Sequence, residues 1–140
     1  MLFSKSTEYA VRALTFLAMQ PAGKLAGARA ISEAQDIPMP FLWKILRMLA
    51  RQRMIRSFRG KHGGYQLARA AEKIRISDVV FSTDGAQLKT DCVMGLQECG
   101  EAQACPLHEA WKAIRARMVA MLEQNTLADL ARIARKRKKK

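Results

Sequence analysis

This 140-residue chain is poor in the side chains that usually do chemistry: it has three cysteines, none before Cys92 or after Cys105, and two histidines, His62 and His108. An odd number of thiols fits a disulfide framework poorly, and thiols that stay reduced belong in a reducing compartment. The start, Met1-Leu2-Phe3-Ser4-Lys5-Ser6-Thr7-Glu8, lacks the basic opening and long apolar core of an export signal. No apolar run approaches the ~20 residues that cross a bilayer. A cytoplasmic protein with no membrane partner is therefore expected. The two histidines stand in a glycine-rich segment and beside the cysteines, so no nucleophile, base and acid can be assembled, and no phosphate loop is present. An enzyme acting on a small-molecule substrate is not expected.

Acid is scarce too. Against 25 Lys and Arg there are 12 Asp and Glu, a net charge of +13, and so strong a positive balance suits a polyanionic partner. Between Lys44 and Lys61 seven basic residues occur with no acid, whereas Ile76 to Glu109 carries six acids against Lys89 alone. The last nine residues, Arg132 to Lys140, hold seven positive charges. By composition that run is expected to be a solvated, disordered tail. A basic face and a separate acidic segment follow from this distribution.

Periodicity and punctuation set out the elements. Ser4 is a good N-cap for a helix whose Ala10, Val11, Leu14, Leu17 and Ala18 form one apolar stripe, and which stops before Pro21. A short second helix covers Ala28 to Gln35 and ends at Asp36-Ile37-Pro38, because proline pushes Ile37 out of the helical region. The third spans Met39 to Arg51, with Phe41, Leu42, Ile45, Leu46 and Leu49 expected inward and Lys44, Arg47 and Arg51 on the opposite stripe. Met54 to Arg59 and Tyr65 to Ala68 then read as hairpin arms around Gly60-Lys61-His62-Gly63-Gly64.

Helix, turn, helix and a basic hairpin make a winged helix-turn-helix, in which the third helix enters the major groove of double-stranded DNA and the wing tip reaches flanking backbone or minor groove. The candidate DNA-binding residues are Met39, Pro40, Trp43, Lys44, Arg47, Arg51, Arg59, Lys61 and His62. Any one of these charges could be plain solvated surface; seven basic residues in the eighteen from Lys44 to Lys61 is a different matter.

A short helix from Ile76 to about Asp84 ends at Gly85, and the cysteine segment follows. Leu107, Trp111, Ile114, Met118 and Met121 then recur at spacings of four, three, four and three, a two-heptad seam expected to pair two copies of the chain. The alternative is that this stripe covers the winged domain of its own chain. Thr126-Leu127-Ala128-Asp129 has the form of a capping box and starts a final short helix. The expected fold is mainly α with a small β-hairpin. Residues 1–84 form the winged domain, 85–105 the cysteine loop, 106–131 the dimerisation and terminal helices, and 132–140 the tail.

Cys92, Cys99 and Cys105, with His108 three residues on, make one candidate metal site. Pro106 suits a first helical position, which makes Cys105 the expected N-cap of the long helix, where the dipole favours a thiolate. Thiolates with one imidazole suit an iron-sulfur cluster or zinc. Gaps of six and five residues between the cysteines are longer than the close pairs of most zinc sites. A cofactor-free thiol sensor and a zinc-stabilised nucleic-acid-binding module remain the alternatives.

Phe41-Leu42-Trp43-Lys44-Ile45-Leu46, Arg59-Gly60-Lys61-His62-Gly63-Gly64-Tyr65-Gln66-Leu67, the three cysteines with Cys105-Pro106-Leu107-His108, and Thr126-Leu127-Ala128-Asp129-Leu130 together resemble the Rrf-type winged-helix transcription regulators. The resemblance covers nearly the whole chain up to the lysine tail. It implies a homodimeric, sequence-specific DNA-binding regulator, usually a repressor, whose cysteines hold a 2Fe-2S or 4Fe-4S cluster that controls DNA affinity. It implies as fourth ligand either His108, as in the IscR-like branch, or Glu8 from the partner subunit, as in the NsrR-like branch. Glu8 also stands four residues from Arg12, the spacing of a helical ion pair. Trp43 occupies a position where the IscR-like branch has a base-reading acid, and Pro38 and Pro40 replace small polar residues, so a different operator is expected.

Overall fold

A computed structural model describes residues 2–95 and 105–139. Ser4 opens α1 (Lys5–Ala18), its hydroxyl accepting from the Thr7 amide at 3.2 Å. The Ser4 amide donates to the Asp84 carboxylate at 3.0 Å, its hydroxyl donates to the same carboxylate, and the Thr7 and Thr83 hydroxyls pair alongside. The start of α1 is thereby tied to the end of α4 (Ile76–Thr83). Ala10, Ala13, Leu14 and Leu17 are buried and form the central rod of the main core.

Around that rod stand α2 (Ala28–Gln35) and α3 (Met39–Arg51), with α2 ending in the left-handed residue Asp36 at φ 51°. In α3, Leu42, Ile45, Leu46 and Leu49 are buried as expected from their spacing. Phe41 is not: it is 54% exposed and stands tilted against Tyr9, ring centroids 6.2 Å apart. Each residue turns a helix by about 100°, which places Phe41 at the edge of a stripe centred on Leu42, Ile45 and Leu49. The helix stops in a Schellman arrangement, the Arg53 amide donating to Ala50 at 3.1 Å and the Met54 amide to Leu49 at 3.0 Å. Arg53 takes the left-handed conformation there, φ 58°.

Two antiparallel strands, β1 (Ile55–Phe58) and β2 (Gly64–Leu67), pair with Ile55 opposite Leu67 and Phe58 opposite Gly64. Tyr65 exchanges both backbone hydrogen bonds with Ala26, at 2.8 and 3.0 Å, which fixes the hairpin to the helical body. At the tip a Cβ on Gly63 would lie 2.0 Å from the Phe58 carbonyl oxygen, so only glycine fits.

A second, smaller core joins α4 to α5 (His108–Gln124) through Ile76, Val80, Met118 and Leu122, with Phe3, Phe81, Leu88 and Leu130 packed around it. The chain then returns: the Leu127 amide donates to Ile74 at 2.8 Å and the Ile76 amide to Asn125 at 2.9 Å. Thr126 and Asp129 form the capping box expected of them at the start of α6 (Leu127–Lys138). Leu127 is fully buried in the main core and Ala131 is 1% exposed.

Two further expectations are corrected. Residues 132–138, read as disordered tail, continue α6. The anchors at Leu127 and Ala131 and a bond from Arg135 to the Ala18 carbonyl at 2.9 Å hold the helix along α1, and cations at a helix C-terminus meet its negative pole. Cys105 is not the N-cap of α5; Leu107 is. The His108 amide donates to the Cys105 carbonyl at 3.1 Å, so Pro106 and Leu107 form a turn that precedes the helix.

Candidate functional site

The outward arc of α3 presents Pro40, Trp43, Lys44, Arg47 and Arg51, all exposed, while Met39 is half-buried against the main core. The burial that fixes Leu42, Ile45 and Leu49 inward leaves these side chains no other direction. On the wing Arg59, Lys61 and His62 are exposed at the tip. Arg53, just past the end of α3, and Arg56, on β1, are exposed as well. They were absent from the sequence-derived set, although both lie in its acid-free stretch. Among the described residues none of these cations has an ion-pair partner; the ion pairs lie elsewhere, on α1, between Lys89 and Glu123, and at Asp129. An unneutralised cationic surface over a protruding helix and a glycine-tipped wing is what a phosphate backbone requires.

Cys92 and Cys105 are both half-buried, and Cys99 lies outside the described residues. Cys92 sits in a turn: its sulfur accepts from the Met94 amide at 3.4 Å and its carbonyl from the Gly95 amide at 3.0 Å. The residue before it carries the anchor. The Asp91 carbonyl accepts from the Trp111 indole N–H at 2.7 Å and from the Arg115 guanidinium at 3.0 Å, so α5 grips the cysteine segment from its first two turns. A half-buried indole N–H needs an acceptor, and that signal could have marked Trp111 as more than an apolar seam residue. His108 is 8% exposed, on the face of α5 that carries Trp111 and Arg115. Glu8 is held in ion pairs with Lys5 at 3.2 Å and Arg12 at 3.7 Å. Among the described residues no group of three His, Cys, Asp or Glu side chains is gathered closely enough to hold a metal ion.

The seam expected on α5 is divided. Met118 is buried, 9% exposed, in the chain's own second core, and Trp111 is half-buried at the Asp91 carbonyl. Leu107, Ile114 and Met121 remain exposed at 45%, 57% and 51%, a row at heptad spacing. The inward stripe of α5 is His108, Trp111, Arg115, Met118 and Leu122, rotated from the predicted seam by about 60° on a 100°-per-residue helix.

A helix-turn-helix with a wing pinned beside it, both cationic and unpaired, defines a winged-helix DNA-binding protein. The comparisons agree and go further. The Rrf2 family, described as an iron-dependent transcriptional regulator, matches residues 3–133, and the chain belongs to that family. A candidate HTH-type transcriptional regulator of Mycobacterium tuberculosis is 41% identical over 133 residues, covering 94% of this chain and 81% of the relative. Protein rrf2 of Nitratidesulfovibrio vulgaris is 31% identical over 134 residues, 96% of this chain and 89% of that protein. Among solved structures, the global cysteine regulator CymR of B. subtilis superposes with a TM-score of 0.81 at 21% identity, over 95% of this chain and 98% of its own. IscR of T. potens gives 0.76 at 23% identity, over 96% and 88%. These superpositions establish the fold. The protein is a DNA-binding transcriptional regulator and not an enzyme.

Proposed function

We propose that the chain acts as a homodimeric repressor whose operator affinity is controlled by an iron-sulfur cluster that senses nitric oxide, redox state or iron-sulfur status. Cys92, Cys99 and Cys105 would hold the cluster, with His108 as fourth ligand or, in its place, Glu8 of the partner subunit. The donor set suits the group: soft thiolates, with the Cys92 sulfur accepting an amide hydrogen bond of the kind that stabilises sulfur-borne charge. Bound, the cluster would supply a centre whose loss or modification registers the signal. The residues of this chain transmit it.

The observation that carries this reading is the grip of α5 on the cysteine segment through Asp91. Met118 and Leu122 pack the same helix onto Ile76 and Val80 of α4, and Val79 of α4 joins the main core to which Leu42, Ile45, Leu46 and Leu49 of α3 also belong. Ordering of the segment at one end of α5 therefore bears on the body that carries the recognition helix. The exposed row Leu107, Ile114 and Met121 supports a second copy on the flank of α5 beside its inward stripe. Two recognition helices must enter successive major grooves together, so a shift of a few ångströms spoils docking, and a coupling of about 1–3 kcal/mol suffices for a switch.

Anaerobic purification with a visible spectrum and with iron, sulfide and zinc counts tests the cofactor. Operator binding by Cys92→Ala, Cys99→Ala and Cys105→Ala tests the switch. The expected outcome is a coloured protein with equal iron and sulfide whose DNA affinity differs from that of all three variants. A colourless protein with three titratable thiols would give the site to thiol chemistry, and one zinc per chain would make it a structural staple.

A further inference from the structure

The 13 residues of α3, Met39 to Arg51, include no Asp, Glu, Asn, Gln, Ser, Thr, His or Tyr. Its outward polar groups are Lys44, Arg47 and Arg51, and the indole of Trp43 adds only an N–H. The surface that α3 offers to base edges therefore donates hydrogen bonds and accepts none. Between Lys44 and the helix start lies an apolar strip, Trp43 at 47% exposure beside exposed Pro40, and Phe41 at 54% on the far flank. Both large apolar groups keep about half of their surface in solvent on a helix otherwise lined outward with cations.

The major groove has a matching asymmetry. Guanine presents two acceptors, N7 and O6, and thymine presents O4 and a 5-methyl group, whereas cytosine presents only its N4 donor and adenine sets an N6 donor beside its single N7 acceptor. A surface without acceptors leaves those donors desolvated and unpaired. It is satisfied by guanine under an Arg or Lys and by a thymine methyl against an aromatic ring.

We propose that α3 reads its operator by donation and methyl contact alone, with Lys44 and Arg47 on guanine N7 and O6 and with Trp43 and Pro40 against thymine methyls. The inference rests on the reading that α3 is the element in the major groove, where the first turns of a recognition helix meet base edges. Arg51, three turns along, falls to phosphate contact.

The test uses full-length, anaerobically purified protein and a duplex recovered by it from a randomised pool. Thymines are replaced one at a time by deoxyuridine, which lacks the methyl, and guanines by 7-deazaguanine, which lacks the N7 acceptor. Deoxyuridine at one or two positions is expected to weaken binding about three- to fivefold, the worth of one buried methyl, and this loss disappears in Trp43→Ala. Replacing a guanine under Lys44 or Arg47 is expected to cost about fivefold or more, and that loss disappears in Lys44→Met or Arg47→Met. If neither base analogue matters while Lys44→Met and Arg47→Met still weaken binding, the base chemistry is overturned and the placement of α3 stands. If the three α3 variants bind like wild type, both fall.

Discussion

Trp111→Phe isolates the grip of α5 on the cysteine segment. Phenylalanine keeps an aromatic ring at the same place and deletes the N–H that donates to the Asp91 carbonyl at 2.7 Å. Arg115 still donates to that carbonyl at 3.0 Å, and Asp91 is exposed, so water replaces the lost donor without a desolvation penalty. The loss is then the lower part of the net worth of a hydrogen bond, about 0.5–1 kcal/mol. Adding Arg115→Met removes the second donor, and the pair together should cost about 1–2 kcal/mol, on the order of a tenfold rise in the undocked population. Amide hydrogen exchange read by mass spectrometry on a peptide spanning residues 90–95 measures this, with an α1 peptide as the internal reference. Exchange of the cysteine segment should quicken in the single variant and more in the double, while α1 stays as in wild type. Unchanged exchange in the double variant would refute the anchoring argument, and an equal rise in α1 would show that the whole fold had been weakened instead.

Met118→Ala should destabilise the chain by about 2 kcal/mol because it opens the small second core, whereas Ile114→Ala, at 57% exposure, should stay within about 0.5 kcal/mol; urea denaturation compares them. Sedimentation across a concentration series should show Ile114→Ala weakening self-association. Gly63→Ala should cost about 1–3 kcal/mol, since the new Cβ meets backbone and not a side chain that can swing aside, with the effect concentrated in the exchange of β1 and β2 amides. The Asp129 carboxyl is held below its ordinary value of 3.8, first by the Thr126 amide, then by the Thr126 hydroxyl and Arg132. A lowered folded value stabilises the protein fully above the unfolded value and is lost as pH falls through the folded one. Denaturation at pH 6 and pH 3 should therefore show part of the acid loss of stability missing in Asp129→Asn.

Much of the fold was legible in local signals. Ser4, Asp36-Ile37-Pro38 and Thr126-Asp129 mark helix ends through bonds that a residue makes with its own neighbours, so caps and prolines read directly from sequence. The inward stripe of α3 was legible because Leu42, Ile45, Leu46 and Leu49 leave one apolar face; Phe41 misled because hydrophobicity alone does not say where that face ends. The α5 seam was harder. Its apolar residues span more than one face, and which of them turns inward depends on where Ile76 and Val80 of α4 happen to stand. The basic run after Arg132 looked disordered by composition, yet two buried residues earlier in α6 and one bond to Ala18 suffice to extend the helix.

The sequence by itself determined the helix-turn-helix, the wing, the concentration of cations on both and the restriction of thiols to one segment. Each of these follows from periodicity, capping or composition within a few residues. Only the tertiary structure decided that α6 closes the main core, that Met118 is buried in the second core while Ile114 stays exposed, and that Asp91 hangs the cysteine segment on Trp111 and Arg115. Those outcomes join residues 20 or more positions apart, where the choice among several apolar faces or backbone acceptors is made by packing geometry and by no property of the residue itself.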